Sequence, residues 1–120
     1  MDDLDPRLQT ETFGDITVVA LMDQKILDEA RISQIGGKLF SLVGKQDNPR
    51  LVLDFANVGH MSSSALGMLI TLHKRIREKH GRLALCNIRP SIYEVFTITR
   101  LSEVFAIRDS RDAALADAAS

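Results

Sequence analysis

Three consecutive serines, Ser62 to Ser64, stand directly before a stretch with helical periodicity. The apolar positions that follow are spaced by four, three and four residues, which is typical of an amphipathic helix: Ala65, Leu69, Leu72 and Ile76. Backbone N–H groups at a helix start lack intrahelical partners and carry the positive end of the helix dipole. One serine is therefore predicted to cap the helix. Another hydroxyl could hold an anion or accept a phosphoryl group, which brings a charge of about −1.5 to −2.

The other residue types with catalytic or metal-binding chemistry are three histidines and one cysteine: His60, His73, His80 and Cys86. No pair of them has the HxxxH or CxxC spacing that places two ligands on one face. The string from Gly59 to Ser63 also lacks the Gly-x-Ser-x-Gly elbow of a Ser-His hydrolase. We therefore expect neither a metal site nor a hydrolase active site.

Two further motifs have ordinary structural explanations. Gly36-Gly37-Lys38 lies inside a segment of helical periodicity and lacks the remaining residues of a phosphate-binding loop, so we expect close helix packing there. The segment from His73 to Arg82 concentrates cations near the end of the serine-capped helix. We expect these cations to complement the negative end of the helix dipole and to keep one helix face solvated. The alternative is a partner-binding patch or a weak nucleic-acid contact.

Strand-like runs alternate with helical segments along the chain, which predicts an α/β fold with a mixed, mainly parallel sheet of four to five strands and crossover helices packed on it. Predicted strands cover residues 8–13, 16–21, 51–55, 83–86 and 104–107, the first two joined as a hairpin at Gly14-Asp15 and the third placed centrally. Predicted helices cover residues 25–43, from the serines to a glycine cap at Gly81, from Pro90, and 110–118.

Composition limits the classes of function. The 120 residues (13.3 kDa) predict one domain over 1–120, with an ordered core at about 8–118. Fifteen Lys and Arg against 16 Asp and Glu, a net charge of −1, argue against a dedicated nucleic-acid binder. A single cysteine favours a reducing cytoplasm, and an acidic N-terminus without any long apolar run predicts neither targeting nor membrane insertion.

The stretch from Leu51 to Ile70 resembles the phosphorylation-site segment of the anti-sigma factor antagonists in the STAS domain family. In that family a strand ending in Asp leads to a motif Asp-Ser-Ser-Gly-Leu-Gly that opens a helix. Residues 62–67 lie on this motif position for position, and Ser63 falls on the phosphoacceptor. The resemblance includes an acidic turn at Met22-Asp23 and a closing segment built from Ile88-Arg89-Pro90 and residues 101–105, and it covers about residues 8 to 118.

The motif departs from the family pattern at two positions. Ser62 replaces the usual Asp, which gives a less acidic site. Ala65 replaces the usual Gly, and because alanine is the better helix former by about 1 kcal/mol, it should stiffen the first helical turn. The neighbouring serines leave the acceptor open between Ser63 and Ser64, with Ser62 as a third choice.

The resemblance implies a non-enzymatic bacterial regulator of transcription. Its unphosphorylated form would bind an anti-sigma factor of the histidine-kinase-like ATPase type and so release a sigma factor. Phosphorylation by that partner or a related serine kinase would prevent binding, and a serine/threonine phosphatase would restore it. The implied partner surface comprises Asp23, His60, Met61, Ser62, Ser63, Ser64, Leu66, Gly67 and Met68.

We expect a cytoplasmic monomer or weak dimer without cofactor, membrane or direct nucleic-acid contacts. Two alternatives are a STAS scaffold subunit of a larger signalling complex regulated by serine phosphorylation, and a nucleotide- or phosphate-binding module.

Overall fold

A computed structural model describes residues 8–120, so the acidic segment 1–7, with its predicted lack of a targeting signal, lies outside the described residues. Strands and helices alternate after an N-terminal hairpin. In chain order they are β1 (Leu8–Phe13), β2 (Ile16–Leu21), β3 (Lys25–Ile26), α1 (Glu29–Gly44), β4 (Arg50–Asp54), β5 (His60–Met61), α2 (Ser63–Glu78), β6 (Arg82–Cys86), α3 (Pro90–Ile98), β7 (Ala106–Arg108) and α4 (Arg111–Ala119).

Five strands form one sheet in the order β1-β2-β4-β6-β7. The β1-β2 hairpin is antiparallel, and the other three pairings are parallel. Strand β4 occupies the centre, where Leu53 lies between Val19 of β2 and Leu85 of β6. The predicted α/β class and the central position of this strand are confirmed.

Side chains on the two faces of the sheet belong to different apolar clusters. On one face Leu53, Leu85 and their neighbours pack with α1, α2 and α3 in the larger cluster. On the other face Val52, Ala84 and Cys86 pack against Ala114 and Ala118 of α4. Successive strand residues point to opposite faces, so near-continuous apolar strands are needed to fill both clusters.

A pair of two-residue strands was not predicted. Strand β3 pairs in parallel with β5 in a separate sheet, with Lys25 opposite His60 and Ile26 opposite Met61. The predicted start of the first helix at Lys25 is therefore wrong, because the helix begins only at Glu29.

Two other predicted boundaries are corrected. The last strand starts at Ala106, because Leu101–Glu103 form a turn of 3₁₀ helix that precedes it. The end of α2 was predicted near His80-Gly81 with glycine as the cap, but it is His80 that adopts a left-handed conformation (φ 59°). A Cβ atom on Gly81 would lie 2.1 Å from the carbonyl oxygen of Pro49, so this glycine is needed for close backbone approach.

Candidate functional site at the serine turn

The serine turn comprises residues 62–64 and is held in place by the paired strands β3 and β5. The carbonyl oxygen of Gln24 accepts hydrogen bonds from the N–H groups of Gly59 (2.8 Å) and His60 (3.1 Å). The N–H of Ser62 in turn donates to the carbonyl oxygen of Ile26 over 3.1 Å. The segment after β2, which begins with Met22-Asp23, is therefore joined by backbone hydrogen bonds to the segment that leads into the serine turn.

The three serine hydroxyls have different surroundings. Ser62 is the N-cap of α2, and its side chain accepts a hydrogen bond from the N–H of Ala65 over 3.3 Å. Ser64 Oγ donates to Glu29 Oε2 over 2.6 Å and so connects the first turns of α2 and α1. Ser63 is exposed, and within residues 8–120 its hydroxyl makes no hydrogen bond. The predicted N-cap role of one serine is thus confirmed, and only Ser63 presents an unoccupied hydroxyl to solvent.

The other predicted partner-binding residues differ in accessibility. His60 and Gly67 are exposed, and Met61 and Met68 are half-buried at the edge of the core. Leu66 is 8% exposed and packs inside the larger cluster, so it does not belong to the surface for which it was predicted. The sequence spacing of Leu66 does not show whether it is buried, since Ile70, one helical turn later, is exposed. The side of α2 that faces the sheet determines which of these residues is buried.

Two shallow apolar grooves are lined by residues that precede and follow the serine turn in the chain. One, of about 310 Å³, lies between the β3-β5 pair and α3 and is lined by Leu27, Gly59, His60, Met61, Ser91, Ile92 and Val95. The other, of about 360 Å³, lies between α1 and α2 and is lined by Ile32, Ser33, Gly36, Gly37, Phe40, Gly67, Met68 and Thr71. Gly36 allows α2 to approach α1 here, because a Cβ at this position would lie 3.0 Å from Met68 Cγ. The expected role in close helix packing is therefore confirmed for Gly36. It does not hold for Gly37, because a Cβ there would meet no atom within 4 Å.

Charged groups surround the first turn of α1 beside the serines. Asp23 Oδ2 lies 3.1 Å from Arg31 Nε, and the Asp23 side chain is only 13% exposed. The carboxylate predicted to face a partner therefore forms an ion pair within the chain. Glu29, which was not singled out in the sequence, is the acid that contacts a serine of the turn.

Asp54, the last residue of β4, organises the sheet end that leads to the serine turn. Its Oδ1 accepts hydrogen bonds from the Ala56 N–H (2.9 Å) and Asn87 Nδ2 (3.1 Å). Its Oδ2 accepts from Arg111 Nη2 (2.8 Å) and Nε (3.2 Å), and Arg111 also pairs with Glu11. Burial raises the pKa of Asp54, but the hydrogen bonds from Ala56, Arg111 and Asn87 outweigh it and leave that pKa below its usual value of 3.8.

The remaining histidine and cysteine candidates do not form a site with the serines. His73 packs edge-on against Phe105, with ring centroids 5.2 Å apart, and burial together with the nearby Arg77 lowers its pKa. Cys86 is buried, and burial together with the charge of Asp54 raises the pKa of its thiol to about 11. In the described part of the chain, no group of three or more His, Cys, Asp or Glu side chains is arranged to hold a metal ion. No helix among residues 8–120 is both long and apolar enough to cross a membrane.

Comparison with known proteins gives one consistent result. The family model of the STAS domain matches residues 7–114. A Bordetella bronchiseptica protein that carries the name anti-sigma factor antagonist BtrV is 32% identical over 93 residues, which cover 78% of this chain and 79% of that protein.

Solved structures share the fold. A STAS domain protein from Planctomyces limnophilus, described as an anti-sigma-factor antagonist, superposes with a TM-score of 0.82 at 24% identity, covering 94% of this chain and 98% of that one. The Bacillus cell fate determinant SpoIIAA in its phosphorylated form superposes with a TM-score of 0.72 at 20% identity, covering 95% and 100%.

Proposed function

The chain belongs to the STAS domain family, and from that premise we propose that it is an anti-sigma factor antagonist switched by phosphorylation of Ser63. The unphosphorylated form binds an anti-sigma factor of the histidine-kinase-like ATPase type and thereby releases a sigma factor. The names of the related proteins support the antagonist role. The observation that carries the choice of residue is the exposed, unbonded hydroxyl of Ser63 at the N-terminus of a 16-residue helix.

The chemical step requires no catalytic group of this chain. Ser63 Oγ forms a bond to the γ-phosphorus of ATP, and the bond from that phosphorus to the β–γ bridging oxygen breaks. ADP leaves, and the hydroxyl proton passes to a base of the kinase. ATP and Mg²⁺ belong to the kinase, so this chain acts as a substrate and a binding protein and not as an enzyme.

A phosphoryl group on Ser63 changes the surface in two ways. It adds a charge of about −1.5 to −2 next to the helix N-terminus, whose N–H groups compensate it in part. It also places a strongly hydrated group close in sequence to residues that line the two apolar grooves, and a docked partner would have to remove its water. Repulsion and desolvation together prevent docking, and hydrolysis by a serine/threonine phosphatase restores it.

The contact surface proposed for the partner is the serine turn with the residues on either side of it. His60, Met61 and Gly67 contribute exposed or half-exposed area, and Met68 supplies a flexible thioether at the edge of the α1-α2 groove. Adaptable methionines beside a polar turn suit a surface that one partner engages and another modifies. The free protein is a monomer or weak dimer, and it acts in the cytoplasm.

Phosphorylation tests the proposal directly. The purified protein is incubated with ATP, Mg²⁺ and an extract of its host, and the phosphorylated peptide is identified by mass spectrometry. We expect phosphate on the peptide that contains residues 62–64, its loss in Ser63→Ala, and its retention in Ser41→Ala, which changes an exposed serine of α1 that lines neither groove. Full phosphorylation of Ser63→Ala would exclude Ser63 as the acceptor, and no phosphate on any serine would favour a scaffold or ligand-binding role.

A further inference from the structure

We infer that Glu29 determines which serine of the turn is phosphorylated, by holding Ser64 in a hydrogen bond and leaving Ser63 as the acceptor. This inference rests on the proposed function and adds a specificity-determining residue to it. It begins from the contact between Ser64 Oγ and Glu29 Oε2, which at 2.6 Å is a short, charge-assisted hydrogen bond.

The geometry gives the two adjacent serines opposite availability. The proton of Ser64 is directed into a carboxylate of this chain, so a kinase must break that bond before its own base can accept the proton. The Ser63 hydroxyl has no such contact in the described residues and can turn toward an incoming base. Ser62 is held differently, because its oxygen accepts the capping hydrogen bond from Ala65.

Charge acts in the same direction as geometry. The γ-phosphate of ATP is anionic, and at Ser64 it would approach an oxygen that lies 2.6 Å from a carboxylate. A phosphoryl group formed on Ser64 would remain beside that carboxylate, and like charges at this distance repel strongly. Asp23, another acid of this region, is paired with Arg31 and adds less to the repulsion.

Glu29 is placed for this role by the start of α1. It is the first residue of that helix, after Asp28, whose side chain makes no capping hydrogen bond. A carboxylate in the first turn of a helix is stabilised by the helix dipole, and this one accepts the hydrogen bond that Ser64 Oγ donates. The two helix N-termini are thus joined by one side-chain contact.

The decisive comparison uses the Ser63→Ala background, in which Ser62 and Ser64 are the remaining serines of the turn. The full-length variants Ser63→Ala, Ser63→Ala/Glu29→Ala and Ser63→Ala/Glu29→Gln are incubated with ATP, Mg²⁺ and host extract, and phosphate on Ser64 is quantified by mass spectrometry. We expect at least a tenfold gain in Ser64 phosphate when Glu29 is replaced. The control Ser63→Ala/Glu103→Ala removes an exposed acid of the 3₁₀ turn and should show no gain.

The outcomes separate this inference from the proposed function. Phosphate on Ser63 in the wild type without any gain on Ser64 in the double variants overturns the role of Glu29 and leaves the proposed function intact. Phosphate on Ser64 in the wild type that disappears in Glu29→Ala also overturns it, because Glu29 would then activate Ser64. An equal gain in the Glu103 control shows general loosening and overturns it as well. Absence of phosphate from the wild type refutes the proposed function itself, and folding of each variant is checked by its thermal unfolding.

Discussion

Arg111, the first residue of α4, donates two hydrogen bonds to Oδ2 of Asp54 at the end of β4, over 2.8 and 3.2 Å. The other oxygen of this carboxylate, Oδ1, accepts hydrogen bonds from Asn87 Nδ2, directly after β6, and from the N–H of Ala56 in the loop that leads to β5. The buried Asp54 side chain therefore holds α4 on one face of the sheet. It also holds the start of the loop that leads to the serine turn and to α2 on the opposite face.

Asp54→Asn is expected to lower the free energy of unfolding by about 2–3 kcal/mol, because it removes the more buried of the two carboxylates that pair with Arg111 and replaces an acceptor oxygen with a donor. Urea denaturation followed by circular dichroism measures the change. Asp47→Asn, at an exposed position in the loop after α1, is the control and should change stability by less than about 0.5 kcal/mol. An equal loss in both variants would contradict the role of Asp54.

The contribution of Asp54 also depends on pH with a defined sign. Its pKa is lowered on folding, so its contribution to stability is complete above 3.8 and is lost as the pH falls below that value toward the lowered pKa. In Asp54→Asn this part of the acid-induced loss should be absent. Midpoints of urea denaturation at pH 5 and pH 3, compared between the two proteins, provide the measurement.

His73 predicts a second pH dependence at milder acidity. Both of its ring nitrogens are buried and have no hydrogen-bond partner in the part of the chain that the structure describes. Because its pKa is lowered on folding, the unfolded chain takes up a proton near pH 6.5 before the folded protein does, and stability falls as the pH drops through that range. His73→Phe keeps an aromatic ring against Phe105 and should flatten the curve of melting temperature between pH 7 and pH 5.5. An unchanged slope would show that another group titrates there.

Gly36 and Gly37 form a matched pair of neighbours in α1. Gly37→Ala should raise the free energy of unfolding by about 0.5–1 kcal/mol, because alanine is the better helix former and its Cβ meets no atom within 4 Å. Gly36→Ala gains the same propensity but forces Met68 Cγ away from a contact of 3.0 Å. We expect it to be less stable than Gly37→Ala by about 1 kcal/mol or more, as thermal unfolding of both variants would reveal.

Gly67 allows docking to be tested without altering the core. Nothing lies within 4 Å of a Cβ at this position, so Gly67→Leu should fold normally while its side chain enters the groove between α1 and α2. Association with the anti-sigma factor, measured by calorimetry, should weaken at least tenfold. Gly44→Leu, another open position at the far end of α1, should bind as the wild type does. Unchanged affinity in Gly67→Leu would exclude the groove from the interface.

Periodicity and turn chemistry predicted most of the fold. The five sheet strands, the hairpin at Gly14, the start of α3 at Pro90 and the presence of the last helix follow from local signals that the structure retains. The β3-β5 pair could not be predicted this way, because two residues are too few for a periodic pattern and their pairing is created by the tertiary fold.

The candidate site shows the same division. The N-cap was predictable from the Ser62–Ser64 string at the start of a helical pattern, and the choice of Ser63 as the acceptor, which comes from the resemblance to a known motif, stays a prediction. The contact of Ser64 with Glu29 joins residues 35 positions apart, and no local signal connects them. Burial of Leu66 likewise depends on the rotation of α2 about its own axis over the sheet. The apolar spacing of α2 predicts which broad face is buried, but not whether a residue at the edge of that face is covered.

The short β3-β5 pair has a consequence for how the serine turn can be recognised. Ser63 is presented in its conformation only while the carbonyl groups of Gln24 and Ile26 hold the segment before it. A synthetic peptide copying residues 59–68 would lack both supports and should be a poor mimic of the surface. We therefore expect recognition of the turn to require the completed fold, so that a nascent or misfolded chain is not bound.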